Sequence, residues 1–142
     1  MEIERKFLLK SLPPLEGFPK KHIEQAYLST EPVIRVRNTD GRHTLTVKGA
    51  GLMAREELNL PLTEESYRRL LTKAEGRIIR KTRVLIPDGA YTIELDLFED
   101  GLRLAEVEFP TLEAAEAYTP PPWLSEDVTG DRRYCNSEMS KA

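Results

Sequence analysis

The sequence predicts an α+β domain: one antiparallel sheet of eight strands with a few short helices around it. Three observations lead there. Eight segments alternate apolar and polar residues with a period of two, as half-buried strands do. Asp40-Gly41 and Asp100-Gly101 fall between such segments, where Asp-Gly favours the tight turn of an antiparallel hairpin. One stretch, residues 63–75, has helical periodicity instead.

The first strand spans residues 2–9, with Ile3 and Phe7 on one face and Glu2, Glu4 and Lys6 on the other. Pro13-Pro14 breaks the chain before a second strand at 23–29, where Gln25 and Tyr27 share a face and Tyr27 suits either a polar lining or the core. After the Glu31-Pro32 turn, strands at 33–38 and 42–48 form the first Asp-Gly hairpin, and a turn at Gly49 to Gly51 leads to a fifth strand at 56–62. The helix at 63–75 has Thr63 as N-cap and Glu64 and Glu65 at the positive end of its dipole. Tyr67, Leu70, Leu71 and Ala74 share one face, and Gly76 lies just past its end. Strands at 77–86, 91–99 and 102–109 follow, divided by Asp88-Gly89 and by the second hairpin. A short helix at 111–118 stops at Pro120-Pro121-Pro122, and a last helix starts near Asp131.

The 142 residues make one domain at about 150 residues per domain, and a composition of 39% hydrophobic and 32% charged residues is that of a globular protein. No apolar run is long enough for a membrane span and no leader pattern opens the chain, so the cytoplasm is expected and no membrane partner. With 21 basic against 24 acidic side chains, a net charge of −3 and no basic block, nucleic acid is not an expected partner. One cysteine, Cys135, and two histidines, His22 and His43, are too few for a disulfide or a structural zinc site and stand in no triad-like turn. Cys135 is expected to be inert or at the surface, and Trp123 to anchor packing.

The charged faces of the strands carry the functional signal. Arg35 and Arg37 oppose Ile34 and Val36, and Thr46 and Lys48 oppose Leu45 and Val47. Glu57 and Asn59 oppose Leu58 and Leu60, and Lys81 and Arg83 oppose Thr82 and Val84. Glu94 and Asp96 oppose Ile93, Leu95 and Leu97, and Glu106 and Glu108 oppose Val107 and Phe109. One such strand is an ordinary solvated face. Seven together, each nearly of one sign, sort into a basic and an acidic sector, and like charges two residues apart repel unless a counter-ligand binds them. Seven carboxylates against six bases leave one negative charge in excess, so a polyanion alone would be repelled. A triphosphate of roughly −4 to −5 should therefore bind together with divalent cations. A ligand set of oxygens alone points to a hard ion, Mg²⁺ or Mn²⁺.

The opening MEIERKFLL, with Glu2, Glu4 and Lys6 in an E-x-E-x-K pattern, resembles the start of the CYTH domain, the triphosphate tunnel metalloenzyme family. EQAYLS, IRVR, LTVKG, KTR, ELDLF, AEVEF and the tail PPWLSEDVTGDRRYCN are similar, in the same order, to the short bacterial members, so the resemblance covers essentially the whole chain. It implies a closed eight-stranded antiparallel barrel forming a tunnel, with the charged faces inward and helices outside. It also implies that Lys6, Arg35, Arg37, Lys48, Lys81 and Arg83 grip phosphates, that Glu2, Glu4, Glu106 and Glu108 bind metal, and that Glu94 and Asp96 add a further acidic pair to the metal-binding set. Asn59 stands where many members carry a second Glu, two residues after Glu57. The last helix is expected at one tunnel mouth, with Arg132 and Arg133 on a solvated face.

The expected function is metal-dependent hydrolysis of a triphosphate, foremost inorganic tripolyphosphate, by in-line attack of water with no covalent nucleophile. Glu2, Glu4 and Glu108 are the expected catalytic carboxylates, with Glu2 or Glu108 accepting the proton of the water. The enzyme is expected to be a monomer or a homodimer. Two other readings remain open. An organic triphosphate enzyme, either a thiamine triphosphatase or a class IV adenylate cyclase, would need a pocket for the organic group, and aromatic residues are only 7% of the chain. A noncatalytic polyphosphate-binding module would keep the basic sector without needing the acidic one.

Overall fold

Alternating apolar and charged residues make each strand a two-faced ribbon. In the computed structural model of the chain, which describes residues 1–50 and 53–141, ten strands join in one antiparallel sheet. They are β1 (Glu2–Leu9), β2 (Lys20–Thr30), β3 (Val33–Thr39), β4 (Arg42–Lys48), β5 (Ala54–Arg55), β6 (Glu57–Leu62), β7 (Glu75–Asp88), β8 (Tyr91–Phe98), β9 (Arg103–Glu108) and β10 (Leu124–Asp127). Helices α1 (Glu64–Leu71) and α2 (Leu112–Ala117) lie between β6 and β7 and between β9 and β10, and a 3₁₀ turn (Arg132–Tyr134) and α3 (Asn136–Met139) end the chain. The strands run β10-β1-β9-β8-β7-β2-β3-β4-β6, and β5 pairs with β1 off that path.

The expected eight strands become ten for two local reasons. The segment at 56–62 has a forerunner, because Ala54 and Arg55 pair with Ile3 and Glu2 of β1 while Glu57 onward pairs with β4. β10, with the sequence Leu-Ser-Glu-Asp, has no alternation to betray it and is held by pairing with Phe7 and Leu9. Gly51 of the expected 49–51 turn lies outside the described residues.

Helix α1 begins as expected, the Thr63 hydroxyl accepting from the Ser66 N–H, but it ends at Leu71 rather than at residue 75. Glu75 pairs with Tyr27 and opens β7, so Gly76 is a strand residue and not a helix stop. Its φ of +70° and its position explain the glycine: a Cβ there would collide with the Ser140 carbonyl oxygen, beside which Arg77 N–H donates to that same oxygen at 2.7 Å. Gly76→Ala is therefore expected to destabilise the protein by about 1–3 kcal/mol and to loosen the C-terminal segment. Denaturant unfolding and limited proteolysis near residue 140 would check it. The expected last helix is interrupted at Cys135, whose extended backbone separates the 3₁₀ turn from α3.

The apolar faces pack outward under the helices. Phe7, Val84, Ile86, Ile93, Leu95, Val107 and Phe109 form the largest cluster, closed by Ala115 of α2 and by Leu124, with Trp123 packed against it as expected. Ala26 and Val36 pack under Tyr67, Leu70 and Leu71 of α1. No described helix is long and apolar enough to cross a membrane.

Candidate active site

Covering the apolar face leaves the charged faces of the same strands to share an interior cavity of ≈ 210 Å³. β1 supplies Glu2, Glu4 and Lys6; β3 supplies Arg35 and Arg37; β4 supplies Lys48; and Arg83, Glu94, Glu106 and Glu108 come from β7, β8 and β9. Of the residues expected at the site, Lys81 and Asp96 do not line the cavity. They lie behind its wall as a fully buried ion pair, Nζ to Oδ2 at 2.7 Å. Both Asp96 oxygens are also held by Arg83, at 2.8 and 2.9 Å, so this carboxylate has no oxygen turned towards the cavity unclaimed by a base.

Strand register decides which charges meet. Glu4 lies directly across from Glu108, and Lys6 from Glu106, in the β1–β9 ladder. Glu94 lies across from Glu106 in β8–β9. The ladder thus carries two carboxylate pairs of like charge on neighbouring strands. Oxygens of Glu2, Glu4 and Glu108 come within 4.8 Å of one another. Glu94 and Glu106 face bases instead: Glu94 Oε2 accepts from Arg83 at 3.2 Å, and Glu106 Oε1 lies 3.5 Å from Lys6 Nζ.

Proton affinities follow this layout. Burial, then Glu106 and Glu2, push the Glu4 carboxyl well above the usual carboxylate range. Burial, then Glu2 and Glu57, raise Glu108, and burial with Glu106 nearby pushes Glu94 up to about 7 against the pull of Arg83. Glu106 goes the other way, because Lys6, Arg83 and Lys81 outweigh its burial and hold it well below the usual range. Burial lowers Lys81 to about 8 even beside Asp96, with Arg83 and Arg37 adding repulsion. Arg37 is lowered to about 9 by burial and then by Arg35 and Arg83. Arg35, Arg37 and Arg83 thus lie close enough to repel one another, as do Glu2, Glu4 and Glu106.

Arg55 is the residue that alternation missed. It lines the cavity from β5, its Nε 3.4 Å from Glu2 Oε1, and its charge removes the negative excess counted from the sequence. Its parity with Glu57 and Asn59 was the available signal. Thr39, Thr44 and Thr46 share the lining as hydroxyls on the face of the cationic residues of β3 and β4. Cys135, expected to be inert or at the surface, is half-buried and lines the cavity with Asn136, which no periodicity could show because both arrive on the C-terminal segment. The Tyr134 carbonyl of that segment accepts from Lys6 Nζ at 2.8 Å. Arg133 pairs with Asp131 at the surface, as expected of a solvated face. Tyr27 satisfies both readings, buried in an apolar cluster with one edge on the cavity. Gln25 is fully buried, and its Oε1 accepts from Arg37 Nε at 2.7 Å.

The arrangement can neutralise and orient a short polyanion between an acidic and a basic wall. Residues 1–134 match the CYTH domain. The chain is 37% identical over 149 positions to an inorganic triphosphatase of Nitrosomonas europaea, covering 98% of this chain and 96% of that one. It is 32% identical to an inorganic triphosphatase of Acetivibrio thermocellus, covering 99% of this chain and 93% of that one. The crystal structure of an inorganic triphosphatase superposes with a TM-score of 0.73 at 32% identity, covering 100% of this chain and 95% of that one.

Proposed function

Because the chain belongs to the CYTH domain family, we propose that it is an inorganic triphosphatase that hydrolyses tripolyphosphate to diphosphate and phosphate inside a closed tunnel. The observation that carries this reading is the meeting of Glu2, Glu4 and Glu108 with Arg35, Arg37 and Arg83 in the lining of one charged cavity. Closure is supported by the segment at 54–62: β5 pairs with β1 while β6 pairs with β4, so one stretch of chain bridges the two sides of the sheet. The residues fit a hard divalent ion, Mg²⁺ or Mn²⁺. Glu2, Glu4 and Glu108 offer only oxygens, within 4.8 Å of one another, the ligand type such an ion takes. A divalent cation held there supplies charge neutralisation for phosphate oxygens and an acidified water.

The protein groups do the rest. Arg35 and Arg37 fix the phosphate chain, and Lys6, Lys48 and Arg83 stabilise charge on the departing diphosphate. As water oxygen bonds to the terminal phosphorus, the bridging P–O bond breaks and the water's proton passes to a carboxylate. Glu108 suits that task better than Glu2, because Lys48 and Arg55 already hold Glu2 at 3.0 and 3.4 Å. Lys81 and Asp96 act from behind the wall, where Asp96 fixes the Arg83 guanidinium.

Among the residues lining the cavity Tyr27 is the single aromatic, which disfavours an organic triphosphate. Phosphate release from tripolyphosphate, ATP and thiamine triphosphate, each with Mg²⁺ and with Mn²⁺, is the test. Tripolyphosphate is expected to exceed both by about tenfold or more in kcat/KM. Equal turnover of ATP would move the reading to an organic substrate, and binding without turnover would leave a polyphosphate-binding module.

A further inference from the structure

Most cations of the cavity are already answered by carboxylates. Lys48 lies 3.0 Å from Glu2, Lys6 3.5 Å from Glu106, and Arg83 2.8 Å from Asp96. Arg35 and Arg37 differ, since neither takes part in an ion pair among the described residues. Each is held by a neutral group. Arg37 Nε donates to Gln25 Oε1 at 2.7 Å. Arg35 Nη2 donates to Thr46 Oγ1 at 3.2 Å, and that hydroxyl donates onward to Asn59 Oδ1 at 2.6 Å. The Asn59 amide donates in turn to Glu57 Oε1 at 2.8 Å, which fixes its orientation with the oxygen towards Thr46. Arg35 Nε is buried and has no hydrogen-bond partner among the described residues, although the residue lines the cavity. A buried charged donor of this kind is costly unless an acceptor arrives.

We propose that Gln25 and Asn59 are positioning residues for anion binding, neutral acceptors that aim the Arg37 and Arg35 guanidinium groups into the cavity without cancelling their charge. This deepens the triphosphatase reading and rests on it. A carboxylate at either position would accept the same hydrogen bond, from Arg37 at position 25 and from Thr46 at position 59, although at position 59 it would lose the donation to Glu57. It would also take over the charge that the phosphate needs. The neutral pair therefore leaves one phosphate subsite that works without metal, whereas the other bases are released from their carboxylates only when something else neutralises those carboxylates.

The experiment uses the full chain and inorganic tripolyphosphate. Calorimetry in chelator gives the metal-free affinity, and steady-state kinetics with Mg²⁺ separate KM from kcat. The parent is expected to retain measurable metal-free binding. Gln25→Glu is expected to weaken it about tenfold or more, the size of a lost charge-assisted hydrogen bond. Asn59→Asp, at the solvent-exposed rim where an added charge leaves folding intact, is expected to weaken it about fivefold. In both, KM should rise more than kcat falls. Thr46→Ser, which keeps the hydroxyl, should behave as the parent, and Thr46→Val should not. Metal-free affinity within about twofold of the parent in both charged variants, with the parent still hydrolysing tripolyphosphate, would overturn this inference and leave the enzyme assignment standing. A parent that neither binds nor hydrolyses tripolyphosphate would overturn both.

Discussion

Glu4→Gln is expected to reduce tripolyphosphate hydrolysis on the order of 10²-fold or more, since even groups one shell away from a metal are worth 10–100-fold. The position explains the size of the effect. Glu4 is one of the three carboxylates whose oxygens meet within 4.8 Å and lies directly across the ladder from Glu108, so its loss breaks the three-oxygen set. The fold should survive, because the glutamine is isosteric and its neutral amide resembles the protonated carboxyl that burial already favours there. Chelation of the parent should have the same outcome, loss of turnover with an intact circular dichroism spectrum. Excess Mg²⁺ or Mn²⁺ should restore part of the variant's activity. Full activity of Glu4→Gln at limiting metal would remove Glu2, Glu4 and Glu108 as the metal-holding set.

Asp96→Ala is the second large effect, and it falls on stability. Removing this carboxylate leaves Lys81 buried without its partner and takes from Arg83 two of its three hydrogen bonds to carboxylates, contacts now made at 2.7 to 2.9 Å. Breaking a buried pair in this way costs about 3–5 kcal/mol, a large part of the 5–15 kcal/mol that holds a typical domain together. The same residue gives stability a pH dependence with a definite sign. Its neighbours hold Asp96 below the ordinary carboxylate range, against the effect of burial. Its contribution is therefore complete above about pH 4, near the unfolded value, and is lost as pH falls through the lower folded value. Urea unfolding of parent and variant at pH 7 and at acid pH would check both points. A parent and variant of equal stability at pH 7 would show that the buried trio contributes nothing.

Alternation told most of this story in advance, because a strand with one buried face must write its register into the sequence. β1 and β4 match the expected bounds, and the inward faces of β1, β3, β4 and β9 carry the expected charges. What alternation could not convey was depth. Asp96 follows Glu94 on the same face and looks alike in sequence, yet one lies behind the wall under two bases while the other reaches the cavity. Short or pattern-free pieces were also invisible: two-residue β5, which brings Arg55, and the polar β10. The expected helix at 63–75 overshoots because Glu75-Gly76 fits a helix end locally, and only the pairing of Glu75 with Tyr27, distant in sequence, makes it a strand. Cys135 and Asn136 reach the cavity by the same tertiary route.

The facing carboxylates, Glu4 with Glu108 and Glu94 with Glu106, bear on how such a protein can be improved or lost. Like charges opposite one another weaken a ladder, and Glu4 and Glu108 have no ion-pair partner among the described residues, so the proposed metal-holding set is also a costly part of this sheet. Neutral residues at Glu4 and Glu108 are the cheapest route to a sturdier protein when no metal is present, whereas Glu94 and Glu106 hold Arg83 and Lys6. A thermostability screen blind to turnover would therefore collect substitutions here first, and its winners would be well-folded proteins that no longer work.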